Sequence, residues 1–105
     1  MMLKQLKKCL ESEKKNKNIF DIVVYGSFVK GKSKPNDLDI LIVFLEGTLK
    51  ERLDILQQIK LKINTELSLD IKQILLTDLF SSDFFARSGV LLAGVSLFSG
   101  KKLCE

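Results

Sequence analysis

Two apolar, strand-like runs constrain the fold of this chain more than any other feature. The first is IFDIVVY, residues 19–25, and the second is DLDILIVFL, residues 37–45. Both are rich in β-branched and aromatic side chains, which is typical of buried strands. The second run begins with two carboxylates, Asp37 and Asp39, although ionised side chains are rarely buried without a partner. The identity of that partner is the main question that the sequence raises.

Helices are predicted before the first run and after the second. Leu3, Leu6 and Leu10 form one stripe of a helix spanning residues 2 to about 15. Thr48 is a predicted N-cap, and Glu51 three residues later completes a capping box for a helix that reaches about Glu66. The predicted apolar face of this second helix contains Leu49, Leu53, Leu56, Ile59 and Ile63.

A third strand is predicted in LSLDIKQILL, residues 67–76. Leu67, Leu69 and Ile71 alternate there with Ser68, Asp70 and Lys72, so that one face is apolar and the other is polar. Thr77 or Ser81 is expected to cap a further helix, and residues 90–103 are expected to end in a short strand. With a short helix at Ser27, the predicted order is α-β-α-β-α-β-α, a single α/β domain over residues 1–105.

Composition excludes several classes of function. The chain has 105 residues, no histidine and two cysteines far apart in the sequence. Ser-His-Asp and Cys-His catalysis are therefore excluded, and a zinc site is not expected. No apolar run approaches the roughly 20 residues that span a bilayer, and no membrane role is expected. The cysteines are interpreted as reduced and the protein as cytoplasmic. The net charge of +4 permits binding to a polyanion without establishing it.

Three aspartates occupy positions that suit a metal site. Asp37 and Asp39 are two residues apart on one strand and share a face, and Asp70 lies on the polar face of a later strand. If the two strands are neighbours, the three carboxylates converge and repel one another, and a divalent cation removes that repulsion. Oxygen ligands favour Mg²⁺ or Mn²⁺, and magnesium usually binds together with a nucleotide phosphate.

The Gly26-Ser27 pair supplies a candidate phosphate site beside these carboxylates. A glycine at the end of a strand allows a phosphate to approach the backbone, and a helix beginning at Ser27 would present free N–H groups to it. Lys30, Lys32 and Lys34 would add positive charge. A phosphate site next to a metal site suits attack on the α-phosphorus of a nucleoside triphosphate, with a carboxylate assisting as base.

The stretch GSFVKGKSKPNDLDI, together with Asp70 in LSLDI, resembles the signature of the nucleotidyltransferase superfamily. The chain length and layout resemble the minimal nucleotidyltransferases, and the similarity covers about residues 19–98. The resemblance implies a mixed β-sheet with helices packed on it. It also implies that Asp37, Asp39 and Asp70 are catalytic metal ligands, and that Gly26 and Ser27 hold the triphosphate of ATP. Nine residues separate Ser27 from Asp37, one fewer than the family often has, and Asn36 stands where a serine is common.

The resemblance also implies a biological partner. Minimal nucleotidyltransferases are often antitoxins encoded beside a HEPN-domain ribonuclease toxin, and they resemble enzymes that transfer AMP from ATP to a tyrosine of that toxin. Two other functions stay open at this point. The protein could neutralise a partner by contact alone, as a binding module, or it could add nucleotides to an RNA end. We rank the RNA activity last because the chain has no evident RNA-binding region. Homo-oligomers and hetero-oligomers are both left open.

Overall fold

The structure is a computed structural model that describes residues 3–26, 37–63, 65–81 and 94–102. Within these residues the chain forms helices on a four-stranded sheet, which confirms the predicted α/β class. The elements are α1 (Leu3–Cys9), a 3-10 helix (Glu11–Lys15), β1 (Ile19–Tyr25), β2 (Asp37–Phe44), α2 (Leu49–Lys62), β3 (Ser68–Leu75), α3 (Leu76–Ser81) and β4 (Val95–Ser96).

The sheet is mixed, and its strands lie in the order β3-β2-β1-β4. β1 pairs antiparallel with both β2 and β4, whereas β2 and β3 are parallel. A parallel pair needs a crossover connection, and α2 provides it here. As a result, the end of β1 and the beginnings of β2 and β3 lie at the same end of the sheet.

Each face of the sheet carries its own apolar cluster. The larger cluster lies under α1 and α2 and includes Leu6, Ile22, Ile40, Phe44 and Ile59, all essentially inaccessible to solvent. The smaller cluster is on the opposite face, where α3 contributes Leu79; its other buried members are Val23, Tyr25, Leu41 and Val43. Because side chains alternate along a strand, residues 37 and 39 share the face of Leu41 and Val43. The aspartates therefore belong to the α3 face.

The predicted apolar face of α2 is only partly correct. Ile59 is fully buried, and Ile55 and Leu56 pack against the larger cluster, but Leu49 and Leu53 are 55% and 47% exposed. Leu53 lies six residues before Ile59, which places it roughly 120° away around the helix. Leu53 therefore points away from the sheet, and the leucines of the first two turns are left on the surface.

The capping box at the start of α2 is confirmed. The Glu51 amide donates to the Thr48 hydroxyl at 3.2 Å, and the Thr48 amide donates to the Glu51 carboxylate at 3.1 Å. Each side chain thus satisfies a backbone N–H group that has no partner within the helix.

Replacing Thr48 by alanine is expected to lower the free energy of unfolding by about 1 kcal/mol, the usual cost of losing an N-cap hydroxyl. Chemical denaturation would measure it. Lys50→Ala, at an exposed position in the same turn, is the matched control and should change stability by only a few tenths of a kcal/mol. Equal stability of Thr48→Ala and wild type would contradict the prediction.

The single helix predicted over residues 2–15 is wrong in its second half. α1 ends at Cys9, and the chain continues as the 3-10 helix, which buries none of its residues. The change occurs at Leu10, whose amide bonds to Leu6 at 3.1 Å and whose carbonyl accepts from Glu13 at 3.0 Å. Leu6 and Leu10 are both buried, so apolar contacts hold the chain at the point where the tighter turn begins. The Cys9 thiol donates to the Lys62 carbonyl at 3.1 Å, which ties this region to the end of α2.

β3 and its predicted faces agree with the sequence pattern, but α3 begins earlier than predicted. Leu69 and Ile71 pack against the larger cluster, whereas Ser68, Asp70 and Lys72 are exposed on the other face. α3 starts at Leu76 directly after β3, so Thr77 lies inside the helix and is not its N-cap. No helix in the described part of the chain is long and apolar enough to cross a lipid bilayer.

Asp21 of β1 has a structural role. Its carboxylate accepts hydrogen bonds from the Ser96 hydroxyl at 2.9 Å and from the Ile22 amide at 2.8 Å. Burial raises the pKa of Asp21, while these bonds and one from the Phe98 amide oppose that rise. Asp21 therefore fastens β4 and the turn after it to β1.

Candidate active site

The register of the parallel pair brings two of the three predicted acidic residues side by side. Asp39 of β2 is paired with Asp70 of β3, and Asp37, two residues earlier in β2, is paired with Ser68. Neighbouring strands lie about 4.8 Å apart, and paired residues present their side chains to the same face. One face of the sheet, at the end where β2 and β3 begin, therefore carries Asp37, Asp39 and Asp70. We call these three residues the acidic cluster.

Asp39 lies between the other two residues of the acidic cluster, and the charges of both act on its carboxylate. Partial burial raises the pKa of Asp39, and the negative charges of Asp70 and then Asp37 raise it further. The ammonium group of Lys72 opposes this rise. A carboxylate whose charged form is disfavoured by its surroundings would be stabilised by an arriving cation.

Gly26 directly follows β1 and lies against Asp39. Its φ angle is +80°, in the left-handed region that favours glycine, and a Cβ atom built there would lie 2.3 Å from Oδ2 of Asp39. An alanine at this position would need the space that the Asp39 carboxylate occupies. Glycine thus has two separate physical reasons to be here: the backbone conformation and the close approach of the acidic side chain.

Tyr25, beside Asp39 in the sheet, has a hydroxyl group without a hydrogen-bond partner among the described residues. Its backbone pairs with Asp39 across β1 and β2, and its ring packs in the smaller apolar cluster. The side chain is only 6% exposed, and its hydroxyl oxygen has no hydrogen-bond partner in the structure so far as it is described. Burial, followed by the charges of Asp39 and Asp70, raises the pKa of Tyr25 to about 12. The phenol is therefore neutral at physiological pH and able to donate.

Lys72 is a cation beside the acidic cluster. Its Nζ atom is 3.7 Å from Oδ2 of Asp70, and both side chains are about half exposed. An exposed pair at this distance adds little to stability. Lys72 follows Asp70 by two residues, so strand alternation places both on the same face of β3.

Two of the predicted phosphate-binding residues lie outside the described part of the chain. Ser27 and Lys30, with Lys32 and Lys34, belong to residues 27–36. Their roles remain predictions, as does the short helix expected at Ser27. Gly26 is described, and the structure places it beside the acidic cluster.

One comparison with known proteins identifies the family. The sequence profile of the family described as "Polymerase beta, Nucleotidyltransferase" matches residues 4–96. The chain belongs to this family. No curated protein matches the chain. The match covers most of the sequence, including β1, β2, β3 and all three residues of the acidic cluster.

As a polymerase beta nucleotidyltransferase domain, the chain is a nucleotidyltransferase-type enzyme, and a nucleoside triphosphate is the substrate class. The mixed sheet with helices packed on it is consistent with the fold of this family. Such enzymes generally use a divalent metal ion, so the acidic cluster must be tested for its ability to hold one.

The donor chemistry of the acidic cluster fits Mg²⁺, although the side chains do not form a complete cage. Among the described residues, no three acidic or cysteine side chains are grouped closely enough to hold a metal ion by themselves. Mg²⁺ usually binds one or two carboxylates and completes its shell with water and substrate phosphate oxygens. Asp39 with Asp37 or Asp70 would supply such a partial set, and their mutual repulsion would be relieved by the ion.

Sequence reasoning missed Tyr25 and Lys72 as residues of this site. Lys72 could have been found, since the alternation that selected Asp70 also places Lys72 on that face. Tyr25 could have been noticed as the single tyrosine, directly before Gly26. Its proximity to Asp39 depends on the antiparallel register of β1 and β2, which the sequence does not specify.

The alkaline titration of Tyr25 tests this geometry without any substrate. Because the protein has one tyrosine and no tryptophan, the ultraviolet absorbance of phenolate reports on Tyr25 alone. We expect a titration midpoint of about 12 against 10.0 for an unperturbed tyrosine, and a lower midpoint in Asp39→Asn. Since the folded pKa exceeds the unfolded one, ionisation favours unfolding, and stability should fall as the pH rises from 10.0 towards about 12.

Circular dichroism at each pH would show whether the protein is still folded during this titration. Asp54→Asn removes an exposed carboxylate from α2 and should leave the midpoint unchanged. A midpoint near 10.0 in folded wild-type protein would contradict the placement of the phenol beside the two carboxylates.

Proposed function

We propose that the protein transfers AMP from ATP to a tyrosine hydroxyl of a HEPN-domain toxin and thereby acts as its antitoxin. The proposal includes Mg²⁺ or Mn²⁺ as cofactor, a cytoplasmic location and a complex with the toxin at least during transfer. The observation that carries it is the pairing of Asp39 with Asp70 next to Gly26, in a chain of the nucleotidyltransferase family.

The chemistry requires one bond to form and one to break at the α-phosphorus. The acceptor oxygen bonds to that phosphorus, the bond to the bridging oxygen breaks, pyrophosphate leaves, and AMP remains on the acceptor. A divalent ion at the acidic cluster would supply charge stabilisation to the attacking and leaving oxygens. Asp37 and Asp39 would hold the ion, with Asp70 as a further ligand.

Asp70 is also our candidate for the group that accepts the acceptor's proton. Its side chain is 53% exposed, so an acceptor from another protein can reach it without the sheet opening. Gly26, together with Ser27 and Lys30, would hold the phosphates.

The experiment is a transfer assay with purified proteins. The protein would be incubated with Mg²⁺, ATP labelled in the α-phosphate and a HEPN-domain partner encoded beside it, and the labelled residue would be located by mass spectrometry. We expect the label on a tyrosine of the partner and the loss of its ribonuclease activity. Parallel reactions with the other nucleoside triphosphates would establish whether the base is selected.

Asp37→Asn serves as the inactive control in this assay, and Asp54→Asn serves as the matched control that should stay active. A folded wild-type protein that leaves the partner unlabelled with every nucleoside triphosphate would overturn the proposed transfer reaction. Label that appears on RNA instead would point to the RNA-directed activity.

A non-catalytic antitoxin is the second candidate, favoured by one observation. The Asp70 carboxylate is already paired with the Lys72 ammonium group, and the described acidic residues do not form a complete metal cage. In that case the protein would neutralise its partner by contact alone. An Asp39→Asn variant that still protects cells from the toxin would favour contact, whereas loss of protection would favour transfer.

A further inference from the structure

The hydroxyl of Tyr25 makes no hydrogen bond within the part of the chain that the structure describes. Its ring packs among Val23, Leu41, Val43 and Leu79, where a phenylalanine would make the same apolar contacts. The hydroxyl oxygen is buried and finds no partner among the residues that the structure describes. A buried polar group without a hydrogen bond destabilises the fold, so the Tyr25 hydroxyl lowers the stability of the protein unless a ligand bonds to it.

The surroundings of this hydroxyl indicate what kind of partner it accepts. Tyr25 pairs with Asp39 across β1 and β2, so both side chains lie on the face of the sheet that carries the acidic cluster. Gly26 follows Tyr25 in the chain and has no side chain to block an approaching ligand. Since the phenol is neutral, it can donate its proton to an anionic oxygen that a cation holds beside the carboxylates.

We propose that Tyr25 is a nucleotide-binding residue whose hydroxyl donates a hydrogen bond to a phosphate oxygen of the metal-bound triphosphate. This inference rests on the proposed function, because it requires a nucleoside triphosphate at the acidic cluster. The ligand would thus satisfy a donor that the described residues leave unpaired. The geometry that carries the inference is a buried hydroxyl without a partner among the described residues, on a tyrosine that pairs with Asp39 across two strands.

The test compares wild type with Tyr25→Phe, which removes the hydroxyl and keeps the ring. Calorimetric titration with Mg·ATP is expected to show roughly tenfold weaker binding by the variant, the effect of one hydrogen bond to a charged group. Without nucleotide, the variant should unfold at a higher denaturant concentration than wild type, because it no longer buries an unpaired hydroxyl. Higher stability combined with weaker binding is a pattern that a purely structural tyrosine would not produce.

Ser96→Ala is the matched control. It also removes a buried hydroxyl, but this one is bonded to Asp21 and lies on β4, across β1 from β2. We expect this variant to be less stable than wild type and to bind Mg·ATP with unchanged affinity. The two hydroxyl deletions should therefore have opposite effects on stability, and only Tyr25→Phe should affect binding.

A second measurement observes Tyr25 directly in the wild-type protein. Its fluorescence is the only tyrosine signal, and inorganic triphosphate with Mg²⁺ does not absorb in that range. We expect the emission to change as this probe binds. Wild-type protein that binds Mg·ATP while Tyr25→Phe binds equally well, or while the tyrosine emission stays constant, would overturn this inference alone. If wild type binds neither Mg·ATP nor the other nucleoside triphosphates, the proposed function fails with it.

Discussion

Asp39→Asn is expected to abolish nucleotidyl transfer and, at neutral pH, to make the protein more stable. Transfer should fall by at least about 1,000-fold, because several kcal/mol of charge stabilisation at the transferred phosphate depend on the metal ligands. Asparagine keeps the shape of the side chain but cannot offer the charge that holds a divalent ion. The variant should therefore fold normally and lose activity.

The gain in stability follows from the same electrostatics. Burial and the charges of Asp70 and Asp37 raise the pKa of Asp39 above its value in the unfolded chain. A raised pKa means that the folded state prefers the neutral carboxyl, so this contribution to stability is present at acidic pH and is lost as the pH rises through the folded pKa. At neutral pH, removing one of two paired like charges should increase the free energy of unfolding by a few tenths to about 1 kcal/mol.

Denaturation curves at several pH values would measure this effect. The stability difference between Asp39→Asn and wild type should shrink as the pH falls through the pKa of Asp39, because the wild-type side chain then also becomes neutral. Asp54→Asn, on the exposed side of α2, should change neither transfer nor the pH dependence of stability. Full transfer by Asp39→Asn would contradict the proposed metal site, and a destabilised variant would show that Asp39 supports the fold.

Gly26→Ala is expected to have the second largest effect, on activity more than on stability. The φ angle of +80° costs an alanine about 1–2 kcal/mol in the left-handed region. The new Cβ would also lie 2.3 Å from Oδ2 of Asp39, so the carboxylate must move. A displacement of about 1 Å in a catalytic group can cost about 100-fold in rate, and we expect a loss of at least that size.

Gly47→Ala is the matched control for backbone strain. Gly47 also has a positive φ angle, +125°, but the atom closest to an added Cβ is Cγ of Arg52 at 3.4 Å, an ordinary contact. Gly47→Ala should therefore lose stability and retain transfer activity. Equal losses of transfer in the two glycine variants would mean that strain, and not the displaced carboxylate, explains the effect.

A double-mutant cycle separates the two parts of the Gly26 effect. The measured quantity is the free energy of unfolding. In an Asp39→Ala background the clashing carboxylate is absent, so Gly26→Ala should lower that free energy only by the backbone strain. A larger loss of stability from Gly26→Ala in the wild-type background would measure the coupling between the added methyl group and the Asp39 side chain. Identical costs in both backgrounds would contradict the close approach of Gly26 and Asp39.

The local patterns of the sequence determined the three long strands and the start of α2. Runs of β-branched and aromatic residues located β1 and β2, alternation located β3, and Thr48 with Glu51 correctly marked the start of α2. Alternation also placed Asp37 and Asp39 on one face. These features depend on residues within one or two turns of each other, so a single segment carries the information. The resemblance to nucleotidyltransferases rests largely on such a segment, the Gly-Ser pair followed by two alternating aspartates, and the family profile over residues 4–96 confirms it.

The structure alone decided which segments meet. The pairing of Asp39 with Asp70, the contact of Gly26 with Asp39 and the position of the Tyr25 hydroxyl all depend on strand order and register. A shift of one residue in β3 would turn Asp70 to the opposite face, and no pattern within β3 forbids that shift without the core to pack against. The exposure of Leu49 and Leu53 was decided in the same way, by where α2 rests on the sheet. Periodicity is a local property, whereas register is set by packing between segments that are distant in the chain.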